Sequence, residues 1–177
     1  MKNIFFKIVF ILFRWVHRTF LYFFIFFKIF VYRFFLKKIG KNLFMRTGSW
    51  IGFPWNVEIG DNFVMHRNSI IEGAGSVKIG DNVMIGPNVV ILSFTHSYSD
   101  LNIPMNQQQY IYNKVIIGND VWLGANVVVV PGIKIGDGAV VGANSVVTHD
   151  VEPYGVYCGA PARKIKSRLK NEDEKNT

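Results

Sequence analysis

Aliphatic residues recur every six positions through most of this chain. From residue 117 it can be written IGNDVW, LGANVV, VVPGIK, IGDGAV, VGANSV, VTHDVE. The same frame appears earlier as IGDNFV (59–64), MHRNSI (65–70), IGDNVM (79–84) and IGPNVV (85–90). The first place is apolar, the fifth is mostly small or β-branched, and places two to four favour Gly, Asp, Asn and Pro. Places one, three and five of a strand share a face, so each hexad reads as a short strand followed by a turn of permissive backbone. A helix would space its apolar residues three and four apart and would not tolerate this much glycine. Short strands joined by uniform turns stack into a solenoid. Its interior is predicted to hold Ile59, Ile79, Ile85, Ile117, Leu123, Val129, Ile135, Val141 and Val147. About a dozen hexads at three per coil predict roughly four coils, or roughly 20 Å of height at about 4.8 Å per strand. Extra residues at Glu72–Gly75 (EGAG) predict a bulged turn.

The period breaks at residues 93–114. A stretch this long without a repeat of its own usually has a task, and functional groups sit on loops held by rigid scaffolds. The stretch holds Tyr98, Asp100, Asn102, three Gln and two more Tyr. These groups suit hydrogen bonding to a polyol and stacking on sugar rings. His96 stands at its root. Of the other histidines, His17 lies in the N-terminal segment, His66 takes an outward place in its hexad and His149 lies in a turn.

Charge and aromatic content set the N-terminal segment apart. Residues 1–57 carry ten basic side chains and no acid, and the rest of the chain has ten basic and twelve acidic ones. Thirteen of the sixteen Phe lie within residues 1–44. Within residues 1–44 the longest run without Lys, Arg or His is residues 19–27, far short of the roughly twenty residues a spanning helix needs. At about 100° per residue, Lys7, Arg14 and Arg18 fall on one side, bordered by Lys28, and the other sides are Phe, Ile, Leu and Trp. This predicts an in-plane amphipathic helix, or two, at a membrane surface. The alternative is a cap over the open end of the solenoid. The density of Phe argues against nucleic acid as partner. Cys158 is the only cysteine, so there is no intrachain disulfide and no Cys-rich zinc site. No small-residue cleavage site follows the apolar N-terminus. A peripheral protein on the cytoplasmic face of a membrane, the bacterial inner membrane in particular, is the expectation. The organisation expected is a basic aromatic helical segment (1–45), a β-helix (46–168) and a charged tail (169–177).

Three stretches, IGPNVVILSFTH (85–96), VIIGNDVWLGANVVVVPGIKIGDGAVVGANSVVTHD (115–150) and GAPARKIK (159–166), occur in this order. Over about residues 50–168 the chain resembles the hexapeptide-repeat acyltransferases, especially their maltose, galactoside and capsular-polysaccharide O-acetyltransferase branch. The resemblance implies a left-handed parallel β-helix, a homotrimer, and acetyl-CoA held between subunits as donor to a saccharide hydroxyl, with no metal. It implies that His96, eight residues after Asn88, is the general base. Imidazole suits that task because it titrates near neutrality and can take the proton of an attacking alcohol. Asn88 would sit near thioester and acceptor. Trp122 would form part of the groove wall, Ala125 would offer backbone groups to the pantetheine arm, and Ala143 would repeat this one coil on. Thr148 and His149 would approach the nucleotide end, and Arg163 and Lys166 would meet phosphates. Asp100 could orient His96, contact the sugar or be a solvated loop acid. Two positions depart from the family pattern, since Ala125 stands where a small hydroxyl residue is common and His149 where lysine is.

Two other classes compete. A γ-type carbonic anhydrase shares the solenoid but needs a close histidine pair plus a distant one, and His66 and His96 are thirty residues apart. A non-catalytic membrane-tethered scaffold would require neither His96 nor Asn88.

Overall fold

The computed structural model describes residues 2–169. The tail 170–177 lies outside the described residues, as do the side chains of residues 1–5, 17–19 and 21, Arg18 and His17 among them. The chain forms one long helix, α1 (Lys2–Phe35), followed by short strands that wind into three walls. The first wall stacks Lys38–Ile39, Val57–Ile59, Val77–Ile79, Val115–Ile117 and Lys134–Ile135. The second stacks Phe44–Met45, Val64–Met65, Met84–Ile85, Trp122–Leu123, Val140–Val141 and Gly155–Cys158, closed by the antiparallel strand Arg163–Ser167. The third stacks Trp50–Gly52, Ile70–Glu72, Val90–Leu92, Val128–Val129 and Val146–Val147.

Each wall repeats in register, and this is where the six-residue period becomes a core. Ile59, Ile79, Ile117 and Ile135 stack as one interior column. Met45, Met65, Ile85, Leu123 and Val141 form the second. Ile51, Ile71, Ile91, Val129 and Val147 form the third. All nine residues predicted to fill the interior are buried. The solenoid has about six turns rather than four, and it begins at Lys38, ahead of the boundary expected at residue 46. In the outermost coils Ile39–Gly40 and Ile51–Gly52 keep the aliphatic–glycine opening of the inner hexads, but Met45–Arg46 and Tyr157–Cys158 lack it, so these coils escaped the periodic reading.

The corners explain the polar places. Asn42, Asn62 and Asn82 at one corner, and Asn68, Asn88, Asn126 and Asn144 at another, have φ of 57–60°. Asparagine tolerates this left-handed backbone better than other non-glycine residues. Its amide also bonds to the next coil, Asn88 Nδ2 to Asn126 Oδ1 at 3.0 Å and Asn126 Nδ2 to Asn144 Oδ1 at 2.9 Å. Glycine at place two serves close stacking, since a Cβ on Gly124 would lie 2.7 Å from the backbone nitrogen of Ala143. The buried fifth-place Ser69 donates to Gly86 O (2.8 Å) and accepts from Val89 N–H (3.2 Å), so it satisfies turn backbone inside the column.

The helix is one continuous element, not two. Its C-terminal half lays Ile25, Ile29 and Tyr32 on the first coil, and these are buried with Leu36 just beyond it. Spacings of four and three put them on one face. Tyr32 Oη accepts from Ile51 N–H at 2.9 Å and approaches Ile51 O at 3.4 Å. Lys28 Nζ bonds to Ser49 O and Oγ, and burial lowers its pKa. The helix therefore covers the open end of the solenoid, as the cap alternative requires. Among the described residues, no helix is long and apolar enough to cross a membrane. Tyr32→Phe leaves the buried Ile51 N–H unpaired and is expected to cost about 1–3 kcal/mol, read as a lower denaturant midpoint.

Candidate active site

After the third-wall strand Val90–Leu92 the chain leaves the solenoid as an antiparallel hairpin, Phe94–His96 against Tyr110–Tyr112. Ser93 anchors its base, with Ser93 Oγ donating to Glu72 O (2.6 Å) and accepting from Gly75 N–H (2.8 Å). The small residues of EGAG make room for this junction, because a Cβ on Gly75 would lie 2.0 Å from Ser93 O. The tip is tied by the buried Gln108, whose amide donates to Asp100 O and Ile103 O, each at 2.8 Å.

His96 is exposed at the end of its strand, directly across from Tyr110. The two rings lie 4.2 Å apart between centroids, tilted by 43°. Strand pairing and ring contact together fix the imidazole on a rigid support with an open side. Asp100 accepts from Asn102 N–H at 2.9 Å, and no described hydrogen bond joins it to His96. It lines a polar pocket of about 460 Å³ with Ser97, Gln107, Gln109 and Tyr110. Tyr110 and Gln108 were not singled out in the sequence. The aromatic alternation of YIY, mirrored across the hairpin by FTH, is the signal that could have found Tyr110.

Five of the other candidates fall into two groups on one chain. Asn88, Ala125 and Ala143 share the corner where third-wall strands begin, Asn88 stacking on Asn126 and the two alanines in line with Pro87, with Asn126 N–H bonded to Pro87 O (2.9 Å) and Asn144 N–H to Ala125 O (2.9 Å). The side chain of Asn88 is committed to its corner ladder through Asn126. Thr148 and His149 lie where those strands end, on the edge from which the hairpin springs, with Thr148 Oγ1 2.9 Å from His149 Nδ1. A strand of three residues, about 10 Å, separates the two edges.

Trp122 stands half exposed on the second wall between Met84 and Val140. Around it lies a groove of about 560 Å³ lined also by Val156, Lys166 and Arg168. The structure thus unites Trp122 with Lys166. Arg163 is not among the groove's lining residues, and its guanidinium donates to Ala162 O at 3.0 Å. Arg168, not noted in the sequence, takes a place in the groove while bonding Gly138 O (2.6 Å) and Asp120 (3.1 Å).

His66, expected to face outward, is half buried, and its Nδ1 has no hydrogen-bond partner among the described residues. Desolvation, then the charges of Arg46 and Arg67, lower its pKa. No group of three or more His, Cys, Asp or Glu among the described residues is placed to hold a metal ion.

Two family models match the chain. Residues 114–149 match "Bacterial transferase hexapeptide (six repeats)" and residues 56–93 match "Hexapeptide repeat of succinyl-transferase". A maltose O-acetyltransferase from Clostridium difficile 630 superposes with a TM-score of 0.74 at 35% identity, over 79% of this chain and 74% of that one. A hexapeptide-repeat acetyltransferase of Vibrio cholerae O1 biovar eltor, complexed with acetyl-CoA, superposes at 0.73 with 33% identity, over 79% and 75%. A chloramphenicol acetyltransferase of Klebsiella aerogenes is 59% identical over 58 residues, 33% of this chain. The chain spans only 28% of the length of that relative.

Proposed function

We propose, from the premise that this chain belongs to the hexapeptide-repeat acyltransferases, that it transfers acetyl from acetyl-CoA to a hydroxyl of a sugar. The observation that carries this reading is the exposed imidazole of His96, fixed by the hairpin at the long break in the repeat. His96 takes the proton of the acceptor hydroxyl as its oxygen attacks the thioester carbonyl. The tetrahedral intermediate collapses, the C–S bond breaks, and the same imidazole returns the proton to the departing thiolate. The products are an acetyl ester and free coenzyme A. The test is thiol release from acetyl-CoA across a panel of sugars, with chloramphenicol included, comparing wild type and His96→Ala. Absence of release with every acceptor would refute it.

The groove around Trp122 fits the donor. Apolar Met84, Trp122, Val140 and Val156 line it for a pantetheine arm, and Lys166 and Arg168 supply charge for phosphates. Because Ala125 and His96 lie on opposite edges of the third wall, a homotrimer that sets one edge against its neighbour's other edge would bring them together. Lys166→Ala is expected to raise the KM for acetyl-CoA about fivefold with kcat unchanged, corresponding to about 1 kcal/mol for an exposed charge contact.

The acceptor we favour is a lipid-linked or surface saccharide met at the cytoplasmic face of a membrane. The helix supports this. The azimuth that packs on the solenoid in its C-terminal half carries Lys7 and Arg14 further forward, at about 100° per residue. The opposite side presents Leu12, Val16, Phe23, Phe30 and Phe34, all exposed. An apolar face directed away from the solenoid, with cations on the solenoid side, matches a helix lying in the interface.

A further inference from the structure

We infer that the acceptor is an amphiphile whose apolar tail lies in a groove between α1 and the first coil, and whose sugar is led along an aromatic strip to His96. The inference rests on the acetyltransferase reading and adds the acceptor's binding path.

The groove encloses about 510 Å³ and is lined almost wholly by apolar groups, among them Phe27, Phe35, Trp50, Phe53 and Trp55. Its one cation, Lys28, is turned to Ser49. A concave volume of this size suits a single ligand chain, whereas a second protein copy would need a broad complementary surface. The occupant is therefore a hydrocarbon tail.

From this groove a line of rings leads to the candidate base. Phe53 meets Trp55 at 5.8 Å between centroids and Phe94 at 6.5 Å, both edge to face. Phe94 meets Tyr110 at 5.5 Å, and Tyr110 meets His96 at 4.2 Å. Phe53 belongs to the first coil and Phe94 to the third. Between them the corner carries only Gly73, Ala74 and Gly75, small enough for the two rings to meet across it. The bulged turn noted in the sequence thus has a use beyond the junction. Phe53 and Tyr110 keep 43% and 48% of their surface exposed, enough to offer ring faces to sugar C–H groups. Beyond Tyr110 lies the polar pocket of Ser97, Asp100, Gln107 and Gln109. The order of apolar groove, aromatic strip, imidazole and polar pocket matches tail, first sugar, reacting hydroxyl and further saccharide.

The first test reads binding without turnover. Full-length chain with Trp15→Phe and Trp122→Phe keeps only Trp50 and Trp55 as emitters, both in the groove. It is titrated with a brominated dodecyl maltoside below its critical micelle concentration. Saturable quenching is expected, at least tenfold weaker when Phe27→Asp is added. Non-saturable quenching, or quenching that Phe27→Asp leaves unchanged, overturns the inference. So does a chain that shows no quenching but dissociates from an oligomer on Phe27→Asp, which would assign the groove to a second copy.

The second test reads thiol release with maltose against dodecyl maltoside, and methyl against dodecyl galactoside. The dodecyl form is expected to have a KM at least tenfold lower, and Phe27→Asp is expected to bring that ratio to one. Equal KM values in the wild type would overturn the acceptor path while leaving the acetyltransferase reading intact. Release absent with soluble and alkylated sugars alike would instead refute the reading on which the path rests.

Discussion

Replacing His96 with alanine is expected to slow acetyl transfer about 10²–10⁴-fold, the usual contribution of a positioned general base. An alcohol is a poor nucleophile at neutral pH, and nothing in the acetyl-CoA thioester removes its proton. The imidazole is the titratable group that the fold presents at the root of the hairpin, exposed and held against Tyr110. Because His96 is exposed and outside the core columns, the variant should keep the wild-type unfolding midpoint. The loss should fall on kcat and kcat/KM together, since the proton moves only in the transition state. The KM for acetyl-CoA should be unchanged, because the groove proposed for the donor is built from the second wall. Tyr110→Phe keeps the ring that supports His96 and is the matched control, with most activity retained. An unchanged rate in His96→Ala would favour a scaffold without catalysis.

Much of this architecture was legible in the sequence because a β-helix writes its geometry into every coil. One apolar residue per hexad predicts an interior column, and Ile59, Ile79, Ile117 and Ile135 stack as that rule requires. Legibility failed where a coil meets something other than another coil. Phe44, Trp50 and Ile51 sit beneath the helix, so their side chains answer to Ile29 and Tyr32 as well as to the repeat. The number of coils was underestimated for that reason. At the candidate site the break in period located His96. The YIY alternation marked the ring facing it, but which residue it meets could not be read, because antiparallel pairing of Phe94–His96 with Tyr110–Tyr112 depends on a tip tied by Gln108. The groove partners of Trp122 were half legible. Lys166 was noted within a motif, whereas Arg168 belonged to none, and the final antiparallel strand carries it back beside Trp122.

Reversing three cations of the helix, Lys7→Glu with Arg14→Glu and Arg33→Glu, is expected to weaken binding to anionic vesicles by at least a hundredfold. Each basic residue near such a surface is worth about 1 kcal/mol, so three removed cations already account for about 3 kcal/mol, and three added carboxylates oppose binding further. The readout is co-sedimentation with vesicles containing phosphatidylglycerol, at low and at high salt. Wild-type binding should fall as salt rises, because these charges are exposed and screened over about 10 Å at 0.1 M. A residual, salt-independent part should persist, carried by the exposed Phe23, Phe30 and Phe34. The matched variant Phe30→Ser with Phe34→Ser should remove that part and leave the salt slope intact. All five positions are exposed on the helix, while Ile25, Ile29 and Tyr32 hold it to the solenoid, so unfolding midpoints should stay within about 0.5 kcal/mol of wild type per substitution. Vesicle binding unaffected by either set would mean that the helix serves the solenoid alone, as a lid over its first coil. Loss of both components in the two variants would instead join the halves of the helix into one surface device, with Ile25 to Leu36 gripping the protein and the aromatic side meeting lipid.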